Sequence, residues 1–183
     1  MASEQAHDST VLPTAAGSEL RIGVMQGRLS PRPAGKLQEF PWQSYQEEFG
    51  KAARLGLHSI EWIFEAPRFE ENPLWTEAGR EEIRELIAAS GVRVQSVCAD
   101  YFMQHRLAGE NARALSQNRD VLADLIVAAH AVGAERILIP LLETSALDTL
   151  ELQRAAVISL RSAAPLAERY GVTLGLEMAI PGA

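Results

Sequence analysis

Short apolar runs alternate with longer segments of helical periodicity along most of the chain. The short runs predict five strands at residues 20–25, 59–64, 92–98, 136–142 and 172–177. The longer segments predict four helices at residues 42–55, 76–89, 111–132 and 148–170. Strands that alternate with helices in this way are typical of a parallel sheet with right-handed crossovers.

The predicted helices carry start and stop signals. Asp148 and Glu151 have the spacing of a capping box, and Pro165 is expected to kink or divide the last helix because it removes a backbone donor. A glycine follows each predicted helix and is expected to end it, at Gly56, Gly91, Gly133 and Gly171.

Two architectures fit this alternation: an open doubly wound sheet, or part of a (β/α)8 barrel. No Gly-x-Gly-x-x-Gly or Walker-type motif follows the first strand, where the chain reads Gln26-Gly-Arg-Leu-Ser-Pro31. This weighs against a nucleotide-binding doubly wound protein without deciding the question.

Length and composition limit the classes of fold and function that fit the chain. The 183 residues are too few for a complete barrel of about 250 residues. A net charge of −7 argues against a nucleic-acid partner, and no apolar stretch reaches transmembrane length. Cys98 is the only cysteine, which fits a cytoplasmic protein. Residues 1–18 lack the pattern of a secretory signal and predict a flexible arm ahead of a domain at 19–183.

Polar and acidic residues follow the predicted strands. Parallel strands place their carboxyl ends on one face, so these residues are expected to form one rim suited to a divalent cation and a polyhydroxylated or anionic ligand. They are Gln26, Gly27, Arg28, Phe64, Glu65, Asp100, Tyr101, Glu143 and Glu177.

Glu177 is the strongest candidate, because a carboxylate that ends a buried apolar strand needs a compensating partner. Asp100 either serves the site or caps the turn after the third strand. Arg28 either grips an anion or lies on the surface. Glu65 and Glu143 are expected on solvated loops.

Several segments, in this order, resemble the sugar phosphate isomerases/epimerases of the xylose-isomerase-like TIM-barrel superfamily. The segments are Ile22-Gly-Val-Met-Gln-Gly-Arg-Leu-Ser-Pro31, Phe40-Pro-Trp42, Leu55-Gly-Leu-His-Ser-Ile-Glu-Trp62, Asp100-Tyr-Phe-Met103 and Leu174-Gly-Leu-Glu177. The resemblance implies an α/β, (β/α)8 TIM-barrel-type fold, of which this chain carries about the first five βα steps.

The resemblance also implies a divalent metal (Mn, Mg, Co or Zn) at the carboxyl face of the barrel. In sugar-handling members a Glu at the end of the fifth strand binds the metal and moves a proton next to the carbonyl carbon, and Glu177 matches it. Gln26, Arg28 and Asp100 are then candidate substrate-binding groups. The other ligands of the family, an Asp, a His and a second Glu, come from strands six to eight, which this sequence lacks.

The resulting hypothesis is metal-dependent isomerisation or epimerisation of a sugar or sugar phosphate through an enediolate. One alternative is a non-catalytic, truncated or partner-complemented barrel fragment, and the other is an endonuclease-IV-like phosphodiesterase. The expected partner is a small sugar, with a homo-oligomer or a complementing chain also open, and neither nucleic acid nor membrane.

Five strands cannot close an eight-stranded barrel, so both edge strands would lack a neighbour. The inward face is expected to carry a set of apolar residues that lose their opposite layer, namely Ile22, Val24, Val172, Leu174 and Leu176. The free chain is therefore expected to be aggregation-prone, partly unfolded or partner-dependent, and to bind divalent metal weakly.

Overall fold

The computed structural model describes residues 21–31 and 38–178. The five strands are β1 (Gly23–Met25), β2 (Ser59–Ile63), β3 (Arg93–Cys98), β4 (Arg136–Leu141) and β5 (Thr173–Met178). The five helices are α1 (Tyr45–Arg54), α2 (Glu77–Ser90), α3 (Tyr101–Gln104), α4 (Ala112–Ala131) and α5 (Leu150–Tyr170). The predicted arm at residues 1–18 lies outside the described residues.

The strands form one parallel sheet in the order β1-β2-β3-β4-β5. A doubly wound sheet would place β1 in its interior, so sequential order decides for the barrel-type arrangement. The barrel-type fold, with five βα steps, is confirmed.

The glycines predicted to end the helices all adopt positive φ, and Gly171 at the end of α5 has a φ of 65°. The predicted capping box is wrong, because α5 begins at Leu150 and its N-cap lies one residue after Asp148. Its cap is Thr149, whose hydroxyl accepts from the backbone N–H of Leu152 at 3.2 Å. The helix is not divided at Pro165, since α5 runs unbroken from Leu150 to Tyr170 with this proline inside it.

Three short elements have no counterpart in the predicted set: α3 and two 3-10 turns, Phe69–Glu71 and Glu143–Ser145. All three follow the carboxyl ends of strands, in loops with too few residues to show a helical period. They lie at the end of the sheet that also carries the candidate site residues.

The two faces of the sheet differ in chemistry. Trp62 of β2 is fully buried and packs on Tyr45 of α1, so its face is the outer, helix-covered one. Ile137 and Ile139 of β4 lie on the same outer face as their register partners Leu174 and Leu176 of β5.

The predicted inward set is therefore wrong for Val24, Leu174 and Leu176, which strand alternation places on the outer face. Leu174 and Leu176 line a groove with α5, as does Val172 just before the strand. The inner face instead carries a more polar set, consisting of Met25, Glu61, Ile63, Ser96, Cys98, Leu138, Gly175 and Glu177.

A β-bulge interrupts the pairing of β2 with β3. Ile60 pairs with Val94, but the next residue, Glu61, pairs with Ser96, so Gln95 is the extra residue. The bulge keeps Val94 on the outer face and Ser96 on the inner face, although the two are only two positions apart.

The strand β5 is not the buried strand that its apolar sequence predicts. None of its six residues is fully buried, and Leu176 is 43% exposed. Within the described residues β5 pairs only with β4, so its second edge is uncovered. No helix of the described part is long and apolar enough to cross a membrane.

Candidate functional site

Carboxylates gather on the inner face and at the carboxyl end of the sheet. Glu61 lies on the inner face of β2, Asp100 directly follows β3, and Glu177 lies near the end of β5. Because the strands are parallel, Asp100 and Glu177 share the same end of the sheet. Two members of the predicted rim, Asp100 and Glu177, thus lie at one end of the sheet, and the use of the rim as a cation or ligand site stays a prediction.

Asp100 is held by two neutral donors. The thiol of Cys98 donates to one carboxylate oxygen (Sγ–Oδ1 3.2 Å), and the side-chain amide of Gln38 donates to the other (Nε2–Oδ2 2.6 Å). Asp100 precedes α3 but makes no side-chain capping bond to it. The alternative in which Asp100 only caps the turn is therefore wrong.

Burial raises the pKa of the Asp100 carboxyl above its usual range, and the hydrogen bonds from Cys98 and Gln38 offset only part of that rise. Burial also raises the pKa of the Cys98 thiol, and the carboxylates of Asp100 and Glu61 raise it further. The thiol is thus a hydrogen-bond donor and not a nucleophile. A half-buried carboxyl with only neutral partners can hold a proton or receive a polar ligand.

Glu61 continues this polar strip along the inner face. Its carboxylate accepts a hydrogen bond from the hydroxyl of Ser96 at 2.7 Å, across the β2–β3 pair. The mid-strand glutamate therefore points inward, on the same face as Ser96. Its neighbour Trp62 points outward into the core, where its indole N–H donates to Asn72 at 2.9 Å.

Glu177 pairs in register with Pro140 of β4 and is exposed. Its carboxylate makes no hydrogen bond or ion pair within the described residues. The reasoning that a buried carboxylate there needs a compensating partner does not hold, because water solvates this side chain. The role of Glu177 rests on its position at the carboxyl end of β5, and it stays a prediction.

Gln26 and Arg28 lie in the loop after β1. Gln26 is buried, and its side-chain oxygen accepts from the backbone N–H of Ile63 at 3.1 Å. Its side-chain nitrogen, Nε2, is also buried and has no hydrogen-bond partner among the described residues. Arg28 is half-buried and partnered. Substrate contact by either residue stays a prediction.

Glu48 fixes this loop and is a residue that the sequence interpretation missed. It is 1% exposed, and its carboxylate accepts the backbone N–H groups of Gly27 (2.9 Å) and Leu29 (3.1 Å). A signal was present: Glu48 falls at helical spacing within the stripe that includes Tyr45 and Ala52. A charged residue on an apolar helix face indicates a buried polar contact.

The remaining candidates have structural roles. Glu65 accepts the backbone N–H of Phe40 at 3.2 Å, so it anchors a loop instead of being simply solvated. Glu143 is exposed, as predicted for a solvated loop, and adopts a φ of 52°. His105 stacks on Tyr101 with ring centroids 4.3 Å apart.

The described residues contain no group of three or more His, Cys, Asp or Glu side chains arranged to hold a metal ion. Glu177 supplies a single carboxylate, whereas a catalytic metal site normally takes about three protein ligands. These residues by themselves therefore do not fit a resident metal.

A family model described as xylose isomerase-like TIM barrel matches residues 49–182. The chain belongs to this family. The match covers the last four of the five strands, including the polar inner strip and Glu177. None of the curated proteins compared matches the chain.

Solved structures share this xylose isomerase-like TIM-barrel fold. The apo 3-keto-D-glucoside 4-epimerase YcjR from E. coli superposes with a TM-score of 0.63 and 17% identity, covering 86% of this chain and 56% of that one. A D-tagatose 3-epimerase-like protein gives 0.61 and 18%, covering 90% and 54%. The IOLI protein with a bound zinc atom gives 0.62 and 13%, covering 87% and 52%.

At these identities the comparison shows the fold alone. The chain spans about half the length of the structures that it matches.

Proposed function

We propose that this chain provides the first half of a sugar isomerase or epimerase site, with Glu177 as the acid/base. The observation that carries the proposal is the polar strip of Glu61, Cys98 and Asp100, which leads along the inner face toward the end of the sheet at which Glu177 lies. The epimerases among the solved structures of the same fold support the substrate class.

In this proposal the residues act by proton transfer. Glu177 takes the proton from the carbon next to a sugar carbonyl, which leaves an enediolate. Return of the proton to the former carbonyl carbon, with the hydroxyl proton passing to the other oxygen, gives the isomer. Delivery of a proton to the opposite face by a second carboxyl group, paired with Glu177, gives the epimer. Asp100, which already accepts from Cys98 and Gln38, offers its remaining acceptor positions to a substrate hydroxyl.

A divalent ion belongs to the proposal only if ligands from outside the described residues complete its site. Glu177 would then be one ligand among several, and the metal could be Mn, Mg, Co or Zn. One neighbour of the same fold carries zinc. The lack of a three-ligand group in the described residues supports the rival proposal, a non-catalytic or partner-complemented fragment.

Solvent deuterium exchange separates the two proposals. Ketoses and ketose phosphates are incubated with the chain in D2O, with and without Mn²⁺, and NMR follows deuterium entering the carbon next to the carbonyl. We expect exchange by the wild-type chain and a loss of at least about 100-fold in Glu177→Gln.

Glu143→Gln is the matched control, because Glu143 is an exposed carboxylate at the same end of the sheet; its exchange rate should not change. Equal exchange in Glu177→Gln and the wild type would remove Glu177 from the proposal. No exchange with any sugar would overturn catalysis by this chain alone and favour the non-catalytic or partner-complemented fragment.

A further inference from the structure

Within the described residues, the side-chain donors that contact Asp100 are already directed at its carboxylate. The amide nitrogen of Gln38 donates to Oδ2 at 2.6 Å and lies 3.8 Å from the sulfur of Cys98, so its two N–H groups face this pair. The thiol of Cys98 donates to Oδ1 at 3.2 Å. The carboxylate fixes the orientation of the amide, because it would repel a carbonyl oxygen placed against it. These side chains therefore have no donor left for a ligand.

A set of acceptor oxygens remains for a ligand. Each carboxylate oxygen of Asp100 can accept more than its one bond, and the side-chain oxygen of Gln38 makes no hydrogen bond within the described residues. Glu61, nearer the amino end of the same inner face, accepts one bond from Ser96 at 2.7 Å and can accept others. Gln38, Glu61 and Asp100 are half-buried, so a ligand can reach them. These three residues are here called the acceptor cluster.

The charge of the acceptor cluster disfavours anionic ligand groups. Its two carboxylates have only neutral hydrogen-bond partners among the described residues. Arg68 and Arg106, in the loops after β2 and α3, are each paired with a glutamate of their own loop, at 2.6 and 2.8 Å. A phosphate group carries about −1.5 to −2 charges, so the carboxylates repel it and the cluster offers it no donor. A sugar hydroxyl can donate to the same oxygens without that repulsion.

We propose that the acceptor cluster is a subsite that binds the hydroxyl end of an unphosphorylated sugar and rejects a phosphate ester. Gln38 is its specificity-determining residue, because it places a neutral amide where a lysine or arginine would supply a cation for phosphate. Rejection through an unbalanced charge is an effective source of specificity. This inference rests on the proposed function, since it takes a sugar as the ligand of this face, and it adds which sugars fit.

Carboxyl NMR measures binding at the cluster without requiring catalysis. The full 183-residue chain is labelled with carbon-13 at its Asp carboxyl groups, and the Asp100 signal is assigned by its loss in Asp100→Asn. D-fructose and its phosphate ester at the terminal hydroxyl are titrated at about pH 8, well above the ordinary pKa range of a carboxyl group. We expect D-fructose to shift the Asp100 signal saturably in the millimolar range. The phosphate ester should bind at least about tenfold more weakly.

Charge variants test whether Gln38 sets this preference. Gln38→Lys puts an ammonium group beside Asp100, so affinity for the phosphate ester should rise by at least about tenfold and the preference should be lost. Gln43→Lys is the matched control, because it adds the same charge at an exposed position of the same loop, and it should keep the preference. Asp100→Asn removes the repelling charge in a side chain of nearly the same shape. Broadening of the ligand's own NMR signals should show that this variant also loses the preference.

Equal or tighter binding of the phosphate ester to the wild type, or no saturable shift with either sugar, would overturn the proposal. The same change of preference in Gln43→Lys as in Gln38→Lys would overturn the role of Gln38. Deuterium exchange decides the proposed function separately. Saturable D-fructose binding without exchange would keep the subsite and overturn catalysis by this chain alone. Exchange with equal binding of the two sugars would keep the catalysis and overturn the subsite.

Discussion

The strands β2 and β5 have similar local sequences and opposite environments. Ser-Ile-Glu-Trp-Ile of β2 has four of five residues buried, whereas Thr-Leu-Gly-Leu-Glu-Met of β5 has none fully buried. The difference lies in the neighbours: β2 pairs with a strand on each side and packs under α1, while β5 pairs only with β4 within the described sheet. Strand formation is thus local, but burial depends on what lies alongside.

This contrast divides the molecule into a packed half and an open half. Around β2, aromatic rings of Phe40, Tyr45 and Trp62 interlock with centroids 5.3 to 5.8 Å apart. Around β5, the apolar side chains of Leu176 and Met178 remain 43% and 38% exposed. Mutations in the two halves should therefore differ sharply in their effects on stability.

The largest expected effect is in the packed half. Trp62→Ala should lower the free energy of unfolding by about 3–5 kcal/mol, because it opens a cavity and leaves the buried side-chain oxygen of Asn72 without its indole donor. Leu176→Ala in the open half should cost less than about 1 kcal/mol. Urea unfolding of both variants measures the difference, and similar losses would contradict the division into two halves.

The next effect concerns the loop after β1. Glu48→Ala should lower the free energy of unfolding by about 1–3 kcal/mol, because the backbone N–H groups of Gly27 and Leu29 lose their acceptor. The neighbouring Glu47 has a side chain that is 66% exposed, and Glu47→Ala should stay within about 0.5 kcal/mol of the wild type. If the two alanine variants unfold alike, Glu48 does not hold the loop.

A smaller effect appears in the pH dependence of stability. The folded-state pKa of Asp100 is raised, so the folded chain binds its proton more tightly than the unfolded chain. The contribution to stability is complete below the ordinary value of 3.8 and is lost as pH rises through the folded-state pKa. Asp100→Asn cannot titrate and should remove this loss.

Chemical unfolding of the wild type and Asp100→Asn at a series of pH values from 3.8 upward measures this prediction. The difference in unfolding free energy between the two should move in favour of the Asn variant as pH rises. A difference that stays constant with pH would show that Asp100 has an ordinary pKa.

The smallest expected effect is that of Glu177 on stability. Glu177→Gln should leave the free energy of unfolding within about 0.5 kcal/mol of the wild type, because the side chain is exposed and unpaired within the described residues. Calorimetric titration with Mn²⁺ should show weak binding by both proteins. Micromolar affinity in the wild type that is lost in Glu177→Gln would mean that the chain already contains a metal site.

The sequence was sufficient for the order of the five strands and four long helices and for the barrel-type sheet, because these segments have a clear period and each long helix has a glycine stop. It was insufficient for side-chain direction. Leu174 and Leu176 were expected to face inward, and the register with Ile137 and Ile139 places them outward. A strand sequence shows alternation but not which face the helices cover.

The candidate site was predicted only in part, because the sequence shows where strands end but not which side chains meet. Asp100 and Glu177 were found because strand ends are visible in the sequence. The hydrogen bond from Gln38 to Asp100 was not predicted, because the two residues are 62 positions apart and no local sequence pattern indicates a contact between them. The only sequence signal for the buried contact of Glu48 was a charged residue on the apolar face of a predicted helix.

The bulge at Gln95 bears on how this fold tolerates insertions and deletions. Val92 just before β3 and Val94 and Val97 within it are buried, and their spacing of two and then three marks one surplus residue. Removing Gln95 would restore strict alternation and keep Cys98 on the inner face, at the cost of the hydrogen bond that its carbonyl accepts from Glu135. Removing a residue from the stretch between Ser96 and Asp100 would instead turn the acidic group away from the barrel interior. A deletion in this part of the chain thus keeps or reverses the inward orientation of the acidic group, according to whether it removes the bulge residue or a residue after it.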